Sequence, residues 1–359
     1  LTANQEGYVV ALIQAAGTIV NMVVSIFLIY IGAGVLFVKA VATGVYMLRL
    51  VLVKIYVKRK YPALDFYAEP NEGALKQKNA ALLHQVVGII VNNTDTTVLT
   101  ICLGAKSLLE VSVYGIYMMV VNAVNQLMTS FSNGLTAGFG EVIAKNEEET
   151  LKKSYSSYEY MYFVIMFIVI ACMGVLILPF VGVYTINLTD VQYVRPVLGI
   201  LFTLIVFMQN VRIPGLTIIC AAGHYKETRY QAILEAVINI TVSLGLVWKF
   251  GMAGVLLGTV CSYGYRSFEI VFYTSRHLVK GCAKKSMFRI LRNVFTVAIL
   301  CTVGTYVIPQ EITSFTTWFL YAIGMGLTSV FFVVVINYVV EPDEFMQLRH
   351  RVNDIIKKE

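Results

Sequence analysis

The chain has 359 residues, of which 58% are hydrophobic and 14% charged, with a mean hydropathy of +0.73 and a formal net charge of +7. Ordinary soluble domains carry about a quarter charged residues, so this composition excludes that class. It also argues against nucleic acid as a partner, because the basic residues gather in short stretches between long apolar runs.

Those runs are each long enough to cross a hydrocarbon core of about 30 Å. They predict an all-α polytopic membrane protein with about ten transmembrane helices, at 8–29, 33–56, 82–103, 108–134, 159–183, 197–222, 230–249, 253–275, 290–308 and 315–340. The segment before the first span, Leu1 to Gly7, has no initiator methionine, basic stretch or small-residue cleavage site. No signal peptide is expected, and the chain reads as a fragment.

The second span contains Lys39, close enough to its outer end to snorkel to the surface, and Arg49 at depth. A polar stretch at 57–81 follows, opening on Lys58, Arg59 and Lys60 and continuing through Pro62, Asp65, Glu69, Pro70 and Glu72; it reads as a linker. The third span is interrupted by six consecutive polar residues, Asn92 to Thr97, roughly 15–20 Å from its N-terminal, cytoplasmic end at 1.5 Å per residue. Six in a row cover every face of a helix. Asn92, Asn93, Asp95 and Thr96 are candidate cavity-lining residues, with interhelical hydrogen bonding as the plainer role.

Further along, Arg212 lies in the sixth span beside Pro214 and Gly215, Glu235 in the seventh, and Arg266 in the eighth with Glu269 one turn away. Charges at membrane depth cost about 2.5–3.5 kcal/mol each on insertion scales and normally face protein or a water-filled cavity. Arginine keeps its charge and offers a planar fork of donors suited to phosphate. Arg49, Arg212 and Arg266, with Lys39, are therefore candidate cations for an anionic substrate. Glu235 is a candidate coupling carboxylate or a counter-ion to one of these arginines. Gly254 and Gly258, like Gly134 and Gly138, stand four apart and predict close helix contact. The charged tail from 342 to 359 predicts an amphipathic surface helix capped by Asp343.

Most of the 28 lysines and arginines, including Arg289 and Arg292 at the end of the eighth connection, fall in or beside alternate connections and the tail, whereas Lys106, Arg195 and Lys249 fall on the opposite side. The positive-inside rule puts the richer side, including the C-terminus, in the cytoplasm. The six cysteines form no C-x-x-C pair, and the four histidines are widely separated. No metal, cofactor or catalytic residue is expected, and no extracytoplasmic loop has room for a catalytic domain.

Three stretches carry a resemblance to a known family: Leu1 to Tyr8 opening a span; Val91 to Asp95 followed by Gly104 and Val113 to Tyr117; and Ala222 to Gln231. Together they resemble polysaccharide-biosynthesis flippases of the multidrug/oligosaccharidyl-lipid/polysaccharide exporter superfamily. Such proteins have twelve to fourteen helices in two six-helix lobes, so the resemblance implies an incomplete N-terminal lobe lacking roughly the first four helices. On that reading residues 1–57 end the N-terminal lobe and 58–81 form a cytoplasmic interlobe linker. Residues 82–278 form the C-terminal lobe, 279–341 an additional helix pair, and 342–359 the cytoplasmic tail.

The resemblance further implies alternating-access transport of a polyprenyl-pyrophosphate-linked oligosaccharide across the bacterial cytoplasmic membrane. Its partners would be membrane lipids and polysaccharide polymerase or assembly proteins. The alternatives are a multidrug extruder of the same superfamily, a membrane polymerase or glycosyltransferase of lipid-linked sugars, and a scaffolding relative.

Overall fold

The computed structural model describes residues 7–62, 78–132, 135–309 and 311–346. Among them there is no β-strand. The chain divides into two compact units, Leu1–Leu75 and Lys76–Glu359. That division falls inside the stretch read as a linker, whose residues 63–77 lie outside the described ones.

The first unit is a helical hairpin of α1 (Gly7–Tyr30) and α2 (Val35–Lys60), turned by Gly32 at φ +79°. No residue of α2 is buried, and Ile19, Phe27 and Leu50 are exposed. Such faces suit lipid rather than water.

The second unit is a bundle of α3 (Lys78–Cys102), α4 (Ser107–Ser132), α5 (Leu135–Ala144), α6 (Glu148–Tyr184), α7 (Pro196–Val211), α8 (Ile213–Ala221), α9 (Arg229–Phe250), α10 (Met252–His277), α11 (Cys282–Val307) and α12 (Phe315–Val340). At its centre α6 contacts α7, α11 and α12, and α10 contacts α7 and α9; α3 packs on α9, α4 and α10. The expected extra pair, α11 and α12, thus docks on α6 within this unit.

Among the described residues, eight segments are long and apolar enough to cross a membrane: Val9–Tyr30, Val35–Lys60, Ser107–Ala144, Glu148–Tyr184, Pro196–Ala221, Arg229–Phe250, Cys282–Val307 and Phe315–Val340. The chain is an all-α, multi-pass, membrane-embedded protein. The other two expected spans, α3 and α10, form helices of 25 and 26 residues but carry too many polar groups to meet the same measure. A helix surrounded by protein can hold such groups where a lipid-facing one cannot. The polar residues of α3 and α10 meet each other, as described below. Outward, the bundle shows Trp248, Phe272, Phe295 and Phe319, while Asp95, Glu159, Asn210, Asn239 and Arg289 are buried. This is the reverse of the usual soluble pattern.

The helices depart most from the expected spans at four places. The helix expected at 159–183 begins at Glu148, because Leu151, Tyr155 and Tyr158 bury one stripe of an otherwise polar segment. The span expected at 197–222 breaks at Arg212, where Pro214 opens α8; proline fits a first helical turn and disrupts an interior. The helix expected at 290–308 starts at Cys282. Last, α5 forms where no helix is expected.

Close packing of α9 on α10 depends on two glycines. A Cβ at Gly254 would strike the Leu246 backbone, and one at Gly258 would lie 2.7 Å from Ser243 N and collide with its hydroxyl. Gly258→Ala is expected to cost about 1–3 kcal/mol through forced separation of the two helices. Thermal unfolding in nanodiscs measures this, with Gly264→Ala, where a Cβ meets nothing within 4 Å, as the silent control. Gly138 likewise has nothing within 4 Å, so no close approach requires it, and Gly134 lies outside the described residues.

The first turn after α12 is fastened to the bundle. Lys285 on α11 bonds Glu344 at 2.6 Å, and Ser156 on α6 donates to the same carboxylate at 2.7 Å. Burial pushes the Glu344 carboxyl up, but these hydrogen bonds and the Lys285 charge outweigh it and hold the group below its ordinary 4.5. A carboxylate with a lowered folded value contributes stability above its unfolded value, and that contribution fades as pH falls through the folded one. Limited proteolysis of the C-terminal segment should therefore accelerate only below pH 4.5, and Glu344→Gln should remove that acid step. Of the predicted tail helix, residues 342–346 are helical, Phe345 meets Tyr338 edge-on at 5.1 Å between ring centres, and 347–359 lie outside the described residues.

Candidate functional site

Two adjoining cavities open inside the second unit, sharing Val91, Asn92, Gln209 and Tyr263 as walls. The first, about 310 Å³, lies among α3, α7, α8, α9 and α10 and is lined by His84, Arg212, Glu235 and Arg266. The second, about 390 Å³, lies among α3, α4, α7 and α10 and is lined by Asp95, Tyr114, Asn122 and Asn125. Volumes of this order suit a small polar group, not a whole oligosaccharide.

The break between α7 and α8 sets Arg212 at a helix junction, from which its guanidinium reaches across to Glu235 on α9. The same guanidinium lies over the Tyr263 ring, 4.4 Å from its centre. On α10, Arg266 is 3% exposed, bonds Glu269 at 2.5 Å and stands 3.6 Å from the other oxygen of Glu235. Two arginines on separate elements are thus joined through one carboxylate. Each arginine has an acidic partner, so the patch is a balanced ion-pair cluster rather than a bare cationic surface. The 23-residue separation of Arg212 from Glu235 hides that pairing from local sequence spacing.

The polar stretch of α3 divides between two roles. Asp95 is buried, accepting from Thr259 of α10 at 2.7 Å and from Tyr114 of α4 at 3.3 Å. Asn92 accepts from Tyr263 at 3.1 Å and walls both cavities. Asn93 is exposed and donates to the Ile89 carbonyl, and Thr96 donates to the Asn93 carbonyl; neither lines these cavities. Behind Thr259, Asn239 donates to its hydroxyl at 3.0 Å. Polar helix faces in a membrane bundle are satisfied in this way, by one another.

Arg49 and Lys39 belong to the first unit. Arg49 donates to Thr18 at 3.3 Å, lies 4.4 Å from the centre of the Tyr46 ring, and occupies the space a Cβ at Gly17 would need; its Nε is buried without a hydrogen-bond partner. Lys39 is exposed.

Several cavity residues were not singled out from the sequence. Gln209 accepts from Asn125 at 2.9 Å, and Asn125 in turn accepts from Asn210 at 2.9 Å, joining α4 to α7. His84 reaches the Tyr225 carbonyl at 3.0 Å and Thr228 at 3.3 Å, tying the connection between α8 and α9 to α3 beside the first cavity. In that connection, burial beside Cys220 pushes the Tyr225 hydroxyl up to about 12, so it stays a neutral donor.

A second charged cluster is a larger surprise. Arg289, expected in a basic loop, is fully buried and bonds Glu159 of α6 at 3.0 Å, with Glu341 also at 3.0 Å. Arg292, one turn further along α11, bonds Glu341 at 2.9 Å and Asn337. These groups lock α6, α11 and the end of α12 together. Among the described residues, no three of His, Cys, Asp and Glu gather as a metal-ligating group.

Comparison with protein-family models and with curated proteins finds no match to this chain.

Proposed function

We propose that the chain is a transporter, not an enzyme, and that it moves a polyprenyl-pyrophosphate-linked oligosaccharide across the bacterial cytoplasmic membrane by alternating access. The membrane-embedded helical architecture is compatible with a transporter. The observation that carries the reading further is the convergence of Arg212 and Arg266 on a cavity inside the bundle, where two fixed guanidiniums match the charge and donor geometry of a phosphate group. Asn92, Gln209 and Tyr263 beside them supply the amide and hydroxyl groups that sugars need. The apolar outer faces leave the lipid tail in the bilayer while the headgroup enters. The cluster of basic residues in alternate connections supports a cytoplasmic C-terminus. Polysaccharide polymerase or assembly proteins are the partners this role requires.

Gln209 walls both cavities, so a photoreactive amino acid in its place should crosslink a polyprenyl-pyrophosphate oligosaccharide, and excess unlabelled ligand should suppress the adduct. The same group at the exposed Trp248 on α9 should give no competed adduct. Capture of a lipophilic cationic dye at 209, with no lipid-linked sugar, would favour the multidrug-extruder reading. Glu235, Glu269 and Asp95 give that second reading its support, since buried carboxylates suit a cationic substrate.

A further inference from the structure

The two cavity arginines already hold an anion, and it belongs to the protein. One oxygen of Glu235 pairs with Arg212 and the other faces Arg266 Nε at 3.6 Å, so the carboxylate fills the space between the two guanidiniums. A tetrahedral anion gripped by both arginines needs the donors that now point at Glu235. We propose that Glu235 is a built-in competitor for the anion site: a phosphate group binds Arg212 and Arg266 by displacing the Glu235 carboxylate, which takes up one proton from solvent as it leaves. This rests on the anion-transport reading and adds to it the regulation of the same site.

The proton follows from charge balance. Arg212 and Arg266 are matched by Glu235 and Glu269, and an incoming dianion would leave the cavity negative. A carboxylate deprived of its cation in a low-dielectric site is neutralised rather than left charged. Among the described residues, the titratable and charged groups facing Glu235 include His84 from α3, Arg212 from the α7–α8 junction, Cys220 from α8, Tyr225 from the following connection, and Tyr263, Tyr265, Arg266 and Glu269 from α10. Of these, His84 carries an imidazole, which can also take up a proton, and its contribution must be separated from that of Glu235 in any test. With no ligand present, the pairing keeps the arginines compensated, so the empty site carries no unmatched charge.

The test is calorimetric titration of the nanodisc-embedded chain with inorganic sulfate, a tetrahedral dianion whose own charge is constant between about pH 6 and 8. Glu235→Gln should bind sulfate at least about tenfold more tightly than the parent at the upper pH, and Glu141→Gln, which removes an exposed carboxylate on α5 away from the cavity, within about threefold of the parent. The parent's affinity should rise as pH falls, with proton uptake seen as a buffer-dependent heat. His84→Asn should keep that dependence and Glu235→Gln should lose it. Equal or weaker binding by folded Glu235→Gln, or a pH dependence that vanishes in His84→Asn, overturns the proposal. Should Glu235→Gln not fold, the pH series of the parent and His84→Asn decides alone. If sulfate binds the parent, is lost in the paired Arg212→Met, Glu235→Met variant and is indifferent to Glu235→Gln, the anion site stands and the competitor falls. Sulfate bound by none of these proteins overturns both.

Discussion

Arg289→Ala is expected to destabilise the second unit by about 3–5 kcal/mol. The side chain is fully buried at the hub of Glu159, Glu341, Glu344 and the Ser156 carbonyl. Its removal strands Glu159, itself 2% exposed, with only the hydroxyls of Ser286 and Tyr155 to bond. A buried carboxylate without its cation carries the full desolvation cost, whereas the intact pair hides it. Arg289→Lys should recover only part of the loss, because an ammonium cannot repeat the fork that serves two carboxylates and a carbonyl at once. Thermal unfolding in nanodiscs should rank the parent first, then Arg289→Lys, then Arg289→Ala. Equal unfolding temperatures for all three would mean that the cluster does not hold α6, α11 and α12 together.

The second large effect separates structure from function at the cavity. Arg212→Ala leaves Glu235 buried beside Arg266 alone, at an expected cost of about 3–5 kcal/mol. Replacing both members, Arg212→Met with Glu235→Met, removes the charge and its counter-charge together. Buried ion pairs replaced by apolar side chains of similar volume are often neutral in stability, and Arg266 keeps Glu269 at 2.5 Å. The double variant should therefore unfold close to the parent while lacking one arm of the anion grip. Stability measured on both variants checks this: a double variant as unstable as Arg212→Ala would show that the side chains matter for packing beyond their charges.

The helices were legible in the sequence because membrane helices must be apolar outward over a fixed length, and that constraint is local. It fails where a helix leaves the apolar zone. The first three turns of α6, Glu148 to Tyr158, read as a loop by hydropathy, yet Tyr155 and Tyr158 are buried against the bundle. Arg289 and Arg292 misled for a related reason: a basic residue near a span end usually faces water. Here their acidic partners come from 130 residues upstream and 52 or 49 residues downstream, and no local pattern announces a partner at that distance.

At the candidate site, the sequence marked the residue types without their partners. The rarity of charge at membrane depth drew attention to Arg212, Glu235 and Arg266, and these three meet at one cavity. The contiguous polar run of α3 was visible, but its division was not: Asp95 faces Thr259 and Tyr114, Asn92 faces Tyr263, and Asn93 bonds back to its own helix. Gln209 and Asn125 are ordinary side chains in sequence and gain meaning only because α4 and α7 bring them within 2.9 Å.

On the proposed function, Arg212 and its neighbours receive the anionic headgroup of a lipid-linked sugar during transport. The most direct measurement is translocation of a fluorescent polyprenyl-pyrophosphate oligosaccharide in proteoliposomes, using the parent protein beside the folded Arg212→Met, Glu235→Met variant. Transport by the parent and its loss in the variant is the predicted result. Equal transport by both would contradict the account, and a parent that moves a cationic dye but no lipid-linked sugar would replace it with drug extrusion.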